Sequence, residues 1–114
     1  MSRSVLLQLA RDSIQEVLEA QKTIQKDKLL QEHPLLAQTL TTQVNIYTDK
    51  ELEANCKLEG LMLIDAIIIA AKKAAFENKN GFILTTSKYL HCEIELVLDT
   101  NDGQIRETDP PILE

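Results

Sequence analysis

The sequence is poor in the residues that usually mark a catalytic or metal site. It has three glycines, too few for a glycine-rich phosphate loop, and its two histidines and two cysteines show no CxxC or HxxxH spacing. No Ser-His-Asp arrangement can be recognised from spacing. Tryptophan is absent and only four residues are aromatic, so leucine, isoleucine, valine and alanine must build the core.

Clustered positive charge is also missing. The net charge is −6 and the longest basic run is Lys72-Lys73, which argues against binding to nucleic acid or to an anionic membrane surface. No apolar run reaches the roughly 20 residues of a membrane-spanning helix, and the first residues do not form a signal peptide. We therefore expect a cytoplasmic protein with free thiols, and no motif indicates a cofactor.

Residues 4–20 have the period of an amphipathic helix, with Ser2 or Ser4 as the candidate N-cap. Its apolar stripe consists of Val5, Leu6, Leu9, Ala10, Ile14, Val17 and Leu18. The residues that fall largely outside this stripe are Arg11, Asp12, Gln15, Glu16 and Glu19. Residues 21–32 either extend the helix or link it to the next element, and His33-Pro34 ends any helix there.

The period then changes to two, which predicts a β-hairpin with one wet face. Residues 40–47 alternate, and a second alternating run begins after Thr48-Asp49-Lys50 and ends at Gly60. In this second run Leu52, Ala54, Cys56 and Leu58 are predicted to point one way. Glu51, Glu53, Asn55, Lys57 and Glu59 are predicted to point the other way.

The most apolar stretch begins at residue 61 and predicts a central helix over 62–78, which protein must cover on several sides. A turn at Asn80-Gly81 precedes a short candidate strand over 82–86. Residues 90–98 alternate as a third clear strand, followed by a turn at 101–103. Whether residues 104–106 add a strand is open.

These elements predict an α+β domain whose mostly antiparallel sheet packs on the buried central helix, while the N-terminal amphipathic helix covers the remaining apolar surface. We assign residues 1–106 to this single domain and residues 107–114 to an extended or mobile C-terminal tail.

Three residues qualify as candidate site residues. Cys56 is the best thiol, although alternation places it on the apolar face, where a cysteine is a small hydrophobic residue with a raised pKa. Cys92 lies on an apolar strand face too. Asp65 falls in the first turn of the central helix, where a carboxylate interacts favourably with the helix dipole. The structural interpretation is preferred for all three.

Pairs of acidic residues form a further pattern. Glu93 and Glu95 share one strand face, and Glu51, Glu53 and Glu59 repeat this spacing in the hairpin. Such pairs usually keep a strand soluble and protect a sheet edge, whereas a catalytic pair needs a cleft. His91 and Cys92, being adjacent, would point to opposite faces of a strand and could not bind one metal ion together.

Three segments resemble the AMMECR family. Residues 6–14 are similar to its opening LLxLARxxI helix, residues 70–78 to its A-x-x-AAF-x-D segment, and residues 92–98 to its IEVSVL-type strand. The family signature LRGCIG corresponds to residues 52–58, where the cysteine is kept as Cys56 while the arginine and both glycines are replaced. The proline-containing LPQV-like motif of the family has no counterpart, so we expect a shortened, divergent relative.

The resemblance implies an α+β fold, an intracellular protein and, in prokaryotes, Memo-like and radical-SAM-like partners; it implies no reaction. Our first hypothesis is a non-catalytic binding or protein-interaction module, with a homodimer that pairs or covers a sheet edge. A thiol-dependent enzyme or accessory factor using Cys56 is the second hypothesis. A small-ligand or cofactor carrier with a pocket beside Cys56 and Asp65 is the third.

Overall fold

The structure, a computed structural model, describes residues 3–113 and confirms the α+β fold. Its helices are α1 (Val5–Glu19), α2 (Lys26–Glu32), α3 (Leu63–Phe76) and α4 (Thr86–His91), with a short 3-10 helix at Pro34–Ala37. Its strands are β1 (Thr41–Thr48), β2 (Glu51–Leu58), β3 (Cys92–Thr100) and β4 (Gly103–Asp109). All four strands join one antiparallel sheet in the order β2-β1-β3-β4. No helix in the described chain is long and apolar enough to cross a membrane.

Helix α1 begins where the sequence predicts, because the Ser4 hydroxyl accepts a hydrogen bond from the Leu7 amide, 3.1 Å away. The alternative cap, Ser2, lies outside the described residues. The buried side of the helix differs from the predicted stripe: Arg11 is fully buried, whereas Val5 and Val17 are exposed. The prediction for Arg11 was wrong because its partners come from residues 89–110, far away in sequence.

Between α1 and β1 the chain forms a separate short helix instead of extending α1. Helix α2 ends at Glu32, immediately before His33-Pro34, as the proline rule predicts. Two backbone amides in front of α2, those of Thr23 and Ile24, donate to the Glu16 carboxylate. This contact holds the connection between the two helices against α1.

The β1–β2 hairpin is confirmed and closes through a two-residue loop. Thr48 pairs with Glu51, and both loop residues, Asp49 and Lys50, have positive φ angles of 49° and 67°. A two-residue loop with positive φ at both positions is the turn that fits the twist of paired strands.

One residue of the hairpin lies on a different face from the prediction. The pairing register shifts between Ile46 and Tyr47, so that Ala54 pairs with Ile46 but Leu52 pairs with Tyr47. Glu53 is therefore the extra residue of a β-bulge. Because the side-chain period of a strand is two, the bulge turns Leu52 away from the face of Ala54, and Leu52 is 49% exposed.

Helix α3 is the central helix that the sequence predicts, and it ends two residues earlier than expected, at Phe76. Eight of its 14 residues are buried: Leu63, Ile64, Ala66, Ile67, Ala70, Ala71, Ala74 and Ala75. It packs on β1 and β2 and against α1. Ile68 is only half-buried and Ile69 is 37% exposed, so one side of α3 meets solvent.

The strand predicted over 82–86 is wrong. Residues 81–85 are irregular and α4 follows, because the Thr85 hydroxyl accepts a hydrogen bond from the Lys88 amide and caps a helix. His91 therefore ends α4, and the third strand begins at Cys92 rather than at residue 90.

Residues 104–106, for which the sequence alone leaves a strand open, belong to β4. This strand pairs with β3 along its full length, from Gly103 opposite Thr100 to Asp109 opposite Ile94. The predicted boundary at residue 106 falls inside the strand, and residues 107–109 are part of the sheet. Asp109 is buried, while most of β4 is exposed at the sheet edge.

Candidate binding surface

Cys56 lies in a shallow cavity rather than inside the core. The cavity has a volume of about 400 Å³ and is lined by residues of β2, including Cys56 and Lys57, and by Lys73, Glu77 and Asn78 at the end of α3. The thiol is half-buried, and this burial raises its pKa, although the nearby Lys73 charge acts in the opposite direction. A thiol with a raised pKa is a poor nucleophile at neutral pH.

The structure does not bring Asp65 together with Cys56. Asp65 lies in the first turn of α3 and forms an ion pair with Lys26 of α2, with 2.5 Å between carboxylate and ammonium. The Cys56 cavity is at the other end of the same helix, near Lys73. Eight residues of helix separate Asp65 from Lys73, which is about 12 Å along the axis. The contact with Lys26 gives Asp65 a role in attaching α2.

Cys92 is part of a buried polar cluster around Arg11. Arg11 Nε donates to the Asp109 carboxylate, and Nη2 donates to the carbonyls of Cys92, at 3.0 Å, and Pro110, at 3.1 Å. Nη1 lies 3.2 Å from the Tyr89 carbonyl and 3.6 Å from Cys92 Sγ. Burial raises the pKa of the Cys92 thiol, and the guanidinium offsets part of that effect. Cys92 is thus a packed structural thiol.

The two histidines lie at the ends of different helices. His33 follows α2, whereas His91 ends α4 and its Nδ1 lies 3.0 Å from the Leu113 carbonyl. Within residues 3–113, no three side chains of histidine, cysteine, aspartate or glutamate are arranged so that they could bind one metal ion.

The acidic pair Glu93 and Glu95 lies on the sheet face opposite α3. The pairing register assigns to this open face the following residues: Leu52, Asn55 and Lys57 of β2; Thr41, Gln43, Asn45 and Tyr47 of β1; Glu93, Glu95, Val97 and Asp99 of β3; and Gln104, Arg106 and Thr108 of β4. The helices pack on the other face, which carries the core residues of the strands. The term open face denotes the strand residues named above, which lie on the side of the sheet without helices.

Glu95 is the centre of an ordered polar cluster on the open face. Its Oε1 accepts hydrogen bonds from Asn45, at 2.7 Å, and from the Tyr47 hydroxyl, at 3.2 Å, and lies 3.4 Å from the Arg106 guanidinium. Burial, followed by the Glu95 charge, raises the pKa of Tyr47. The Glu95 side chain is only 15% exposed. The expectation that this pair protects an edge is wrong, because β3 is an inner strand.

The sequence alone predicts only part of the open face. Alternation correctly assigns the polar residues of β1 and β3 to one side. It does not reveal that Leu52 joins them, since a bulge has no periodic signal, or that β4 contributes Arg106. Periodicity also does not predict that Arg11 is buried, because a single charged residue next to an apolar stripe usually faces water.

The sequence matches no protein-family model and no curated protein sequence. Among solved structures it is similar to the crystal structure of an uncharacterised protein, PH0010, from Pyrococcus horikoshii, with a TM-score of 0.71 and 21% identity. The match covers 82% of this chain and 48% of that protein, so the chain corresponds to about half of its length. At this identity the likeness is one of fold.

Proposed function

We propose that this chain is a non-catalytic protein-interaction module of the AMMECR type that binds a protein through its open face. The observation that carries the proposal is the organised polar cluster around Glu95, on a sheet face that α1 and α3 leave uncovered. An antiparallel sheet with one solvated face is common, and the residues on that face are usually polar. Here Asn45 is 4% exposed even though it lies on that face.

The charges of the cluster favour coverage by a partner. Covering an ionised carboxylate is costly unless the structure already supplies its counter-charge and hydrogen bonds. Glu95 has these within the chain, from Asn45, Tyr47 and Arg106. A partner can therefore cover Glu95 without having to provide its hydrogen-bond donors.

The shape of the open face favours a macromolecule over a small ligand. A hollow between Gln43, Val97 and Gln104 measures about 10 Å³, room for one water molecule at most. Small-molecule sites are concave and enclose hundreds of cubic ångströms. Tyr47 and Arg106 on this face belong to residue types that are enriched in protein interfaces.

The AMMECR assignment is supported by where the similar segments lie in the fold. The LLxLARxxI-like segment lies within α1, the A-x-x-AAF-x-D-like segment covers the end of α3 and the two residues after it, and the strand-like segment lies within β3. The arginine of the first segment is Arg11, whose buried contacts give a physical reason for that residue type. Two free cysteines fit a reducing compartment such as the cytoplasm.

Site-specific photocrosslinking tests the proposal. A photoreactive phenylalanine analogue is introduced at Asn55 or Thr108, which are exposed on the open face, and at Lys22 as an exposed control outside it. We expect discrete crosslinked products in cells from the two face positions and none from the control. Products of equal yield at all three positions, or none at either face position, would contradict the proposal.

A thiol-dependent enzyme or accessory factor using Cys56 remains the second candidate, because the thiol borders a cavity beside Lys73. The raised pKa of Cys56 predicts slow alkylation at neutral pH and a rate that continues to increase with pH beyond 9.0, the ordinary pKa of a thiol. Rates are measured across pH for the folded protein and for the urea-unfolded control. Alkylation of the folded protein at pH 7 that is faster than in the control would favour the enzyme over the binding module.

A small-ligand or cofactor carrier has weaker support. The cavity beside Cys56 is open to solvent and does not include Asp65, whose carboxylate is engaged by Lys26. The pocket expected between the two candidate residues is therefore absent from the described part of the chain.

A further inference from the structure

We infer that the cavity beside Cys56 binds a small phosphorylated ligand, whose phosphate groups meet the ammonium groups of Lys57, Lys73 and Lys79. This inference goes beyond the proposed function, because it concerns an anion site at one end of α3 and not the protein interface on the open face. The three lysines belong to β2, to the last turn of α3 and to the segment that follows α3. Only the fold brings them to one cavity, so no basic run in the sequence indicates the site.

The lysines of this cavity have no carboxylate partner within the chain. The sequence has nine lysines, and three of them form ion pairs: Lys26, Lys28 and Lys72. Three of the other six line this one cavity, and among residues 3–113 no carboxylate oxygen lies within 4.0 Å of their ammonium groups. In a chain with a net charge of −6, unpaired positive charge gathered around a cavity favours an external anion.

The lysines are also not needed to cap the C-terminal end of α3. Lysine side chains near a helix C-terminus often bond its last carbonyls. Here donors further along the chain already do so: the Glu77 amide bonds the Lys73 carbonyl at 2.8 Å, the Asn78 side chain bonds Ala74 at 3.1 Å, and the Leu84 amide bonds Ala75 at 3.0 Å. The ammonium groups are therefore left for a ligand in the cavity.

The edge of β2 adds neutral donors to the same cavity. Thr48 closes the two-residue loop of the hairpin by exchanging backbone hydrogen bonds with its partner, and bonded pairs then alternate along β1. Val44 is therefore bonded to Cys56, and the amides of Asn55 and Lys57 point away from β1. Because β2 is an edge strand and both residues line the cavity, these amides can donate to phosphate oxygens.

The segment that carries Lys79 is held against β2 by side-chain hydrogen bonds. Asn78 donates to the Phe82 carbonyl at 2.6 Å, and its Oδ1 accepts from the amides of Asn80, at 3.1 Å, and Phe82, at 2.9 Å. The Asn80 side chain donates to the carbonyl of the bulge residue Glu53 at 2.9 Å. The walls of the cavity are therefore fixed within the chain, which lowers the ordering cost of binding.

The residue types favour phosphate over a carboxylate ligand. Among the described residues no arginine lines the cavity, and arginine is the side chain whose planar fork matches a carboxylate, whereas lysine binds phosphate as a point charge. One carboxylate, that of Glu77, also lines the cavity, so the three lysines exceed it by two charges. A multivalent anion gains most from this excess. The volume of about 400 Å³ lies within the range of small-molecule sites.

A titration of the ¹⁵N-labelled intact chain with inorganic pyrophosphate, followed by NMR at constant pH and ionic strength, tests the inference. We expect saturable shifts of the amide signals of Asn55, Lys57 and Lys79. All three lysines are exposed, so each contact is weak, and we expect a dissociation constant of about 1 mM. Citrate, a tricarboxylate of similar charge, is the comparison ligand and should bind at least about threefold more weakly.

Charge variants locate the bound anion. Lys73→Gln and Lys79→Gln should each raise the dissociation constant about two- to fivefold, because each removes one exposed ion contact. Glu77→Gln should lower it by a similar factor, since it removes the only negative side chain among the described residues of the cavity. Lys22→Gln, an exposed lysine outside the cavity, is the control with the same charge change and should leave the constant unchanged.

Every outcome supports or overturns the inference. Shifts that do not saturate, equal effects of the cavity variants and the control, or weaker binding by Glu77→Gln would each overturn the site. Citrate binding as tight as that of pyrophosphate would overturn the phosphate class. The dispersion of the amide signals shows whether each variant is folded. Crosslinking from the open face is measured separately, so the anion site and the proposed function can each fail while the other stands.

Discussion

The two faces of the sheet use the same strands in opposite ways. On the covered face, Val44, Ile46 and Ile94 are fully buried beneath α3 and α1. On the open face, the residues between them, such as Asn45 and Glu95, form hydrogen bonds with each other instead of packing against another layer. The comparison shows that one alternating sequence pattern supplies a stabilising surface and an organised polar surface at the same time.

Arg11 on the helical side and Glu95 on the open face are both charged residues with several polar partners, and the two differ in how many segments of the chain they connect. Arg11 is fully buried and bonds to residues near α4, β3 and β4 as well as to Pro110, so it joins four segments of the chain. Glu95 is 15% exposed, and its partners all lie within the sheet. We therefore expect substitutions at Arg11 to affect global stability and substitutions around Glu95 to have local effects.

The largest effect is expected for Arg11→Met. Removing the guanidinium leaves the buried Asp109 carboxylate with only Arg3 as an ion-pair partner and takes a donor from three carbonyls, which should lower the free energy of unfolding by about 3–5 kcal/mol. Urea denaturation measures the change. Arg3→Met is the matched control, since Arg3 also pairs with Asp109, at 2.9 Å, but is partly exposed and should cost about 1 kcal/mol or less. Equal costs for the two variants would mean that burial of Arg11 is unimportant.

The next largest loss of stability is expected on the covered face of β3, and the neighbouring residue on the open face provides the comparison. Ile94→Ala removes a fully buried side chain from the covered face and should cost about 2–5 kcal/mol. Glu93→Ala on the open face should change stability by no more than about 0.5 kcal/mol. Thermal and urea unfolding of both variants provide the comparison. Similar losses for both would show that the open face is packed as tightly as the covered face.

The smallest effect concerns Tyr47, and it depends on pH. Tyr47→Phe removes a hydrogen bond to Glu95 and should cost about 0.5–1.5 kcal/mol at neutral pH. Because folding raises the pKa of Tyr47 above 10.0, its contribution is complete below pH 10 and is lost as the pH rises through the folded-state pKa. Unfolding of the wild type and the variant should therefore converge above pH 10. A difference that is constant with pH would exclude an ionisable contribution from this tyrosine.

Local patterns predicted most of the architecture from the sequence. The 3.6-residue period identified α1 and α3, and strict alternation identified β1, β2 and most of β3, since these patterns record which side of each element is buried. The failures have distant or non-periodic causes. Arg11 is buried by partners from residues 89–110, and the strand predicted over 82–86 is an irregular segment that leads into α4, which Thr85 caps.

The candidate site was less predictable than the fold. Cys56 and Asp65 were identified by residue type, but whether they meet depends on which end of α3 each one approaches. Predicting the open face requires the order of strands in the sheet. This order places Arg106 beside Glu95, although the two residues are 11 positions apart in sequence. Strand order is decided by tertiary packing, so it cannot be predicted from any single segment of the sequence.

The bulge at Glu53 has a consequence for aligning this chain with the AMMECR sequences that it is proposed to resemble. It lies inside residues 52–58, the stretch that the proposed AMMECR resemblance matches to the LRGCIG signature. If a sequence whose strand has no bulge is aligned with this chain without a gap, residues on one side of Glu53 are matched with residues that face the opposite side of the sheet. A one-residue gap at Glu53 keeps equivalent orientations in the same column of an alignment, both for Cys56 after it and for Leu52 before it.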